Sequence, residues 1–133
     1  MKNNGFTIIE LIITVILIAI LAAVGTPLYL NYIDNSKFAT VKPTFNQLFT
    51  SLKVLKQKED SSDSSFISGN ENIENYFQIK LSESVKNNWD FYYYSFWGYD
   101  YFYALGKNKR DGYYIYAYRS TSIPNWQWYE GKI

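Results

Sequence analysis

Residues 5–24 read GFTIIELIITVILIAILAAV. This run is almost continuously apolar, and its length suits a bilayer crossing or the buried core of an assembly. One acid interrupts it, Glu10, five residues after Gly5; before Lys37 the only basic residue is Lys2. Charge is costly near the centre of a membrane helix. Glu10 lies only about one turn from the Gly5-Phe6 junction, which lowers that cost without removing it. Leu or Ile would insert more easily, so the carboxylate requires a purpose.

Working outward, the leader MKNNG precedes Phe6-Thr7-Ile8-Ile9-Glu10-Leu11, and Pro27 and Tyr29 follow the run. Together, as far as about Lys37, these residues resemble the start of a type IV prepilin or pseudopilin. The resemblance implies cleavage between Gly5 and Phe6 by a membrane prepilin peptidase, with N-methylation of Phe6. It implies that Glu10 pairs with the processed amine of Phe6 on a neighbouring subunit. A buried ion pair that loses one partner strands the other, so such pairing would draw subunits into axial register. It also implies that Gly25–Pro27 loses helix on assembly. Two ordinary alternatives fit less well. A cleaved secretory signal could use Ala22, Ala23 and Gly25, but Glu10 breaks its apolar region and Lys2 is a thin basic start. A plain membrane anchor explains the length but not the Gly5-Phe6 to Glu10 spacing.

The 133 residues suit one domain plus a long N-terminal helix. A net charge of +1 gives no bulk field that indicates nucleic acid. The charge is uneven: residues 37–58 carry five Lys and no acid, and residues 59–90 carry seven acids against Lys80 and Lys86. These could meet between subunits or simply be two solvated faces. The chain has no Cys. It therefore departs from the many pilins that close a C-terminal loop with a disulfide.

The expected organisation is a leader over 1–5, an apolar transmembrane or filament-core helix over 6–33, and an amphipathic helix half over 34–58. A polar acidic loop with a short helix fills 59–88, and an aromatic-rich antiparallel sheet with a tail fills 89–133. In the second helix half, Phe38, Val41, Phe45, Leu48, Leu52 and Leu55 fall at steps of three and four on one face. A helix over 6–58 would be about 80 Å long. Its candidate bends are Gly25, Pro27 and Pro43, because proline removes an i→i−4 hydrogen bond and crowds the preceding turn. Residues 59–72, EDSSDSSFISGNEN, read as a mobile loop. Residues 73–85 suit a short helix, although 77–81 also alternates.

Residues 89–129 hold all four Trp and eleven of the fourteen Tyr. Their β-propensity and turn signals predict strands over 89–96, 99–105, 113–119 and 126–129. Trp97-Gly98 and GKNKRDG (106–112) are the first two links, with Asp111-Gly112 a turn signal. Trp89, Phe91 and Tyr93 share one face of the first strand, and Tyr92, Tyr94 and Phe96 the other. One face should cover the helix stripe; the second is left for a neighbouring subunit or a ligand.

Nothing in the sequence supports an enzyme. With neither His nor Cys, the usual general base and soft metal ligands are missing. Asp90 and Asp100 could imitate a carboxylate pair across a hairpin, but strand-end acids are usually solvated. Asp60 and Asp63 lack the alternation of a calcium loop. The calcium site of major pseudopilins is not carried over, since Glu130 is the lone acid near the C-terminus. The basic turn with Lys107, Lys109 and Arg110 reads as a soluble hairpin tip rather than a nucleic-acid contact. No cofactor or metal is expected.

The expected fold is therefore α+β, of type IV pilin architecture, with the long helix packed against about four antiparallel strands. The expected role is a structural, homo-oligomeric filament subunit. The resemblance implies a prepilin peptidase, an assembly platform and its ATPase as partners. It places the chain in the inner or cytoplasmic membrane before assembly, and in an extracellular pilus or periplasmic pseudopilus afterwards. The alternatives are a pseudopilin of a type II secretion or competence system, and a membrane-anchored binding module with an aromatic ligand-binding sheet.

Overall fold

The computed structural model describes residues 5–58, 64–107 and 112–133. The basic turn at Lys109, Arg110 and Asp111, and the acids Glu59, Asp60 and Asp63, lie outside the described residues. Eight elements follow one another: α1 (Ile8–Lys58), β1 (Ser65–Ser68), α2 (Asn70–Phe77), α3 (Glu83–Asn88), β2 (Trp89–Phe96), β3 (Tyr99–Gly106), β4 (Tyr113–Ser120) and β5 (Gln127–Lys132). The chain divides into two units, Met1–Lys37 and Phe38–Ile133.

The second unit is a helix packed on a meander. Five antiparallel strands stand in the order β1-β2-β3-β4-β5, each paired with its sequence neighbour. The fold is α+β and type IV pilin-like. The helix stripe read from the sequence is the buried face: Phe38, Val41, Phe45, Leu48 and Leu52 are all buried, with Leu55 packed at the edge. Opposite it lie Trp89, Phe91 and Tyr93 of β2, Phe102 and Ala104 of β3, and Tyr113, Ile115 and Ala117 of β4. The seam is largely aromatic. Phe45 meets Phe91 at 5.7 Å and Trp128 at 5.4 Å, and Phe49 stacks on Trp126 at 3.9 Å with planes 11° apart. Rings at these distances add directional contact to their area burial.

The stretch read as a mobile loop contains β1 and the start of α2. Ser65–Ser68 extends the sheet by pairing with Ser95–Tyr92 in reverse order. The sheet therefore has five strands, one more than the aromatic run suggested. A side chain holds this addition in place. Asn70 donates from Nδ2 to the Trp89 carbonyl at 2.8 Å and accepts the Phe91 amide at 3.0 Å, so it bonds the β2 backbone where a further strand would. Ile73, Phe77, Leu81 and Val85 then bury α2, its exit loop and α3 against the core. The helix read at 73–85 is thus two helices. Gln78, in the left-handed region at φ 53°, ends the first, and the Ser82 hydroxyl, accepting the Val85 amide, caps the second.

Trp97 and Gly98 form the two-residue turn between β2 and β3. Both have positive φ, 48° and 79°, as a primed hairpin turn demands. Gly suits that geometry and Trp does not. The cross-strand register separates the two acids considered as a pair. Asp90 faces Leu105 and bonds Lys107 at 3.3 Å, whereas Asp100 faces Ser95.

Asp100 is not solvated. It is 2 % exposed, and three elements converge on it. Lys56 of α1 donates to its two oxygens at 2.7 and 2.8 Å, Arg119 of β4 donates at 3.1 Å, and the Tyr93 hydroxyl of β2 donates at 2.9 Å. Lys42 similarly reaches Glu130 at 2.7 Å. Lys42 and Lys56 of the basic helix segment therefore pair with acids of the sheet in the same chain. Burial, with the Asp100 charge beside it, pushes the Tyr93 hydroxyl well above the ordinary tyrosine range.

Two outcomes are expected. Asp100→Ala leaves Lys56 and Arg119 without their carboxylate and should destabilise the fold by about 3 kcal/mol in urea unfolding; a loss under about 1 kcal/mol would make the cluster ornamental. Tyr93 stays protonated in the folded chain beyond the pH at which unfolded tyrosine ionises, near 10.0. Its contribution is then full below that pH and declines as pH rises toward the folded-state value. Native and Tyr93→Phe chains should differ in the slope of stability between pH 9.5 and 11, with the variant flatter; equal slopes would contradict the assignment.

Candidate functional site

The first unit offers no internal core. Residues 5–32 are all exposed, although the segment is strongly apolar, with a mean hydropathy of 2.9 over an 18-residue window of α1. An apolar helix exposed on every side requires lipid or other chains around it. The α-helix continues through Gly25, Pro27 and Pro43, so none of the three ends it. Thr26 returns its hydroxyl to the Ala22 carbonyl at 2.8 Å beside Pro27.

Thr7 and Glu10 form the entrance to α1. The Thr7 carbonyl accepts the Leu11 amide at 3.2 Å, which opens the helical ladder. Glu10 Oε2 accepts both the Thr7 amide and the Thr7 hydroxyl at 2.8 Å, and the Thr7 hydroxyl accepts the Glu10 amide at 3.3 Å. This is a reciprocal capping box, in which two backbone donors of the first turn find side-chain partners. The signal was present in the sequence as Thr7-Ile8-Ile9-Glu10, with the acid three residues after the hydroxyl and an apolar run behind. Reading Glu10 only as a counter-charge for another subunit overlooked it. Phe6, 81 % exposed, directly precedes the box.

Two glycines of this unit lack a local reason. A Cβ at Gly5 or at Gly25 would meet nothing within 4 Å, and neither residue has positive φ. Gly25 in a helix interior nevertheless costs about 1 kcal/mol relative to Ala. Among the described residues, no contact calls for glycine at either position.

The second candidate surface is the face of the sheet turned away from α1. The register aligns two rows of rings across the strands. One runs Phe66, Tyr94, Tyr101, Tyr118; the other runs Tyr92, Tyr103, Tyr116, Tyr129. Neighbouring rings in each row lie 4.9 to 6.5 Å apart. Between the rows is a shallow depression of about 280 Å³ lined by Phe66, Tyr92, Tyr94, Tyr101, Tyr103 and Leu105. Burial, with Tyr114 and Tyr92 adding to it, raises the Tyr103 hydroxyl above its ordinary range. A hydrogen bond with Tyr129 does the same for Tyr118. Among the described residues no three His, Cys, Asp or Glu side chains gather as a metal site.

Residues 1–26 match the family model of the prokaryotic N-terminal methylation motif. The chain is 40% identical over 65 residues to a type IV major fimbrial protein, FimA, of Dichelobacter nodosus, which covers 49% of this chain and 41% of that one. It is 37% identical over 59 residues to the type IV major pilin protein PilA of Myxococcus xanthus, covering 44% and 27% of the two chains. It is 38% identical over 53 residues to the prepilin peptidase-dependent protein D of Escherichia coli, covering 40% and 36%. Over its N-terminal part the chain is thus similar to type IV pilins. The matched stretches span 27% to 41% of these three relatives' lengths. No solved structure matches the chain.

The capping box of this pilin-type segment makes a direct prediction. Thr7→Ala removes the hydroxyl that links both halves of the box, a loss of about 1 kcal/mol for a typical cap. Amide exchange at Glu10 and Leu11 in micelles should accelerate about fivefold; unchanged protection would show that lipid alone orders the first turn.

Proposed function

We propose that the chain is a structural subunit of a type IV pilus-like filament, made as a membrane-anchored prepilin. The observation that carries this reading is the pairing of an apolar helix exposed on all sides with a single carboxylate near its start. Cleavage falls between Gly5 and Phe6, and the new amine of Phe6 is methylated. The open backbone around Gly5 suits a position selected by a peptidase rather than by packing. In the filament, Glu10 pairs with the Phe6 amine of a neighbour, and exposed apolar residues such as Ile12, Ile16 and Leu21 are covered by other helices.

Gly25 and Pro27 are the place where α1 yields on assembly, since Pro27 cannot donate to the Ala23 carbonyl and glycine adds little resistance. Pro43 is a milder bend in the packed half. Before assembly the subunit is a single-pass protein of the inner or cytoplasmic membrane. A prepilin peptidase, an assembly platform and its ATPase act on it there, and the product lies outside that membrane. A pseudopilus of a secretion or competence system would use the same N-terminal chemistry and differ in filament length. In either machine the chain acts by assembling rather than by catalysing a reaction.

The test is made on the native chain expressed with its assembly machinery. Intact mass should show loss of residues 1–5 and gain of a methyl group on Phe6. Sheared surface fractions should contain filaments of the processed chain, and Glu10→Gln should reduce their yield at least tenfold while membrane levels of the subunit persist. An unprocessed chain, or normal yield from the Gln variant, would overturn the reading.

A further inference from the structure

We propose that the outer face of the sheet is a binding groove for a neutral linear polysaccharide. The two aromatic rows cross the strands, and three inter-strand steps make each about 14 Å long. They stand two residues apart along the strands, about 7 Å, with the depression between them. The result is an open trough over β1, β2 and β3 rather than a closed pocket, and toward β5 the two rows meet where the Tyr118 and Tyr129 rings lie 6.0 Å apart. Such a trough fits a chain of linked units better than a single small molecule.

Its chemistry narrows the class of chain. None of the six residues lining the depression is charged. The acid next along this face of β2, Asp90, is held by Lys107 at 3.3 Å. A nucleic acid would need cations for its phosphates, and an acidic polymer would need them for its carboxylates. An extended peptide carries a backbone N–H and C=O at every residue, and the trough runs across the strands, where no free strand edge can pair with them. A neutral sugar chain alternates C–H patches with hydroxyls. Phenol rings answer both, with an apolar body and a polar tip on each side chain. The rings are accessible for this: Phe66 is 67 % exposed and Tyr94 is 41 % exposed. The inference goes beyond the filament reading and does not rest on it, because the groove belongs wholly to Phe38–Ile133.

The experiment uses the full-length chain in a detergent without a sugar headgroup. Retention is measured in affinity gels containing amylose, a soluble mixed-linkage β-glucan or xylan, with alginate and an oligonucleotide as charged controls. Retention by at least one neutral polymer, and by neither control, is expected. Tyr94→Ala and Tyr103→Ala should each weaken it at least fivefold without lowering the thermal midpoint by more than a few degrees. Tyr103→Phe, which keeps the ring, should fold as the native chain does and retain more binding than the Ala variant. The proposal is overturned by no retention on any neutral polymer, by retention that the Ala variants leave unchanged, or by stronger retention on the charged controls. It is equally overturned if the Ala variants instead convert an oligomer to a monomer in sedimentation, since a second copy would then cover the groove. N-terminal processing and filament yield are read separately, so the failure of either proposal can be told from the failure of the other.

Discussion

A single carboxylate sets how the helix lies on the sheet. Asp100 is 2 % exposed and is met by a lysine from α1, an arginine from β4 and a tyrosine from β2. Apolar burial is non-directional and by itself fixes register less sharply. Charge-assisted hydrogen bonds are directional. The last turns of α1 therefore have one position in which Lys56 reaches Asp100, and the aromatic seam from Phe38 to Leu52 is packed in that register. Arg119 contributes twice, since its guanidinium also lies 5.0 Å from the Trp126 ring centroid, which in turn stacks on Phe49. The ion cluster and the aromatic core are one structure at this end of the unit.

The same fixing of register separates two faces that are alike in residue type. Both faces of the sheet are aromatic, and a one-residue slip would exchange them. The inward face carries Trp89, Phe91, Phe102 and Ile115 with the small Ala104 and Ala117, which leave room for the helix. The outward face is dominated by tyrosine, whose hydroxyl tolerates water. Asp100 adds a penalty to any slip, because exchanging the faces would leave its partners unmatched. Tyrosine on one side and a buried acid on the other together make a doubly aromatic sheet single-valued.

The sequence made the helix, its buried stripe and four of the five strands readable, because each rests on a local signal. Phe38 to Leu55 repeats at helical spacing, and residues 89–129 are rich in β-forming aromatics punctuated by turn signals. Legibility ended where a segment depends on a distant partner. Ser65–Ser68 has too little β character to declare itself and becomes a strand because the edge of β2 and the Asn70 side chain are waiting for it. Asp100 looked like a solvated strand-end acid because its ion partners are 44 and 19 residues away. In the N-terminal unit the motif Thr7-Ile8-Ile9-Glu10 carries two meanings, a family resemblance and a helix cap, and only the structure displays the second.

That second meaning bears on how an acid can reside in an apolar segment at all. In the single chain Glu10 is already satisfied by the Thr7 amide and hydroxyl. The charge is therefore held at the helix entrance, where backbone N–H groups and the positive end of the helix dipole favour it. Under the proposed assembly, pairing with a neighbour's amine would have to replace these bonds. An unsatisfied acid in the proposed membrane-held subunit would favour association with any available donor. A capped acid sets a threshold instead. In the proposed filament, the processed amine of a neighbouring Phe6 would have to displace the Thr7 hydroxyl to reach the acid. The threonine thus makes the acid tolerable at the start of an apolar helix, and under the proposed assembly it would also set what a competing amine must displace; both follow from a spacing of three residues.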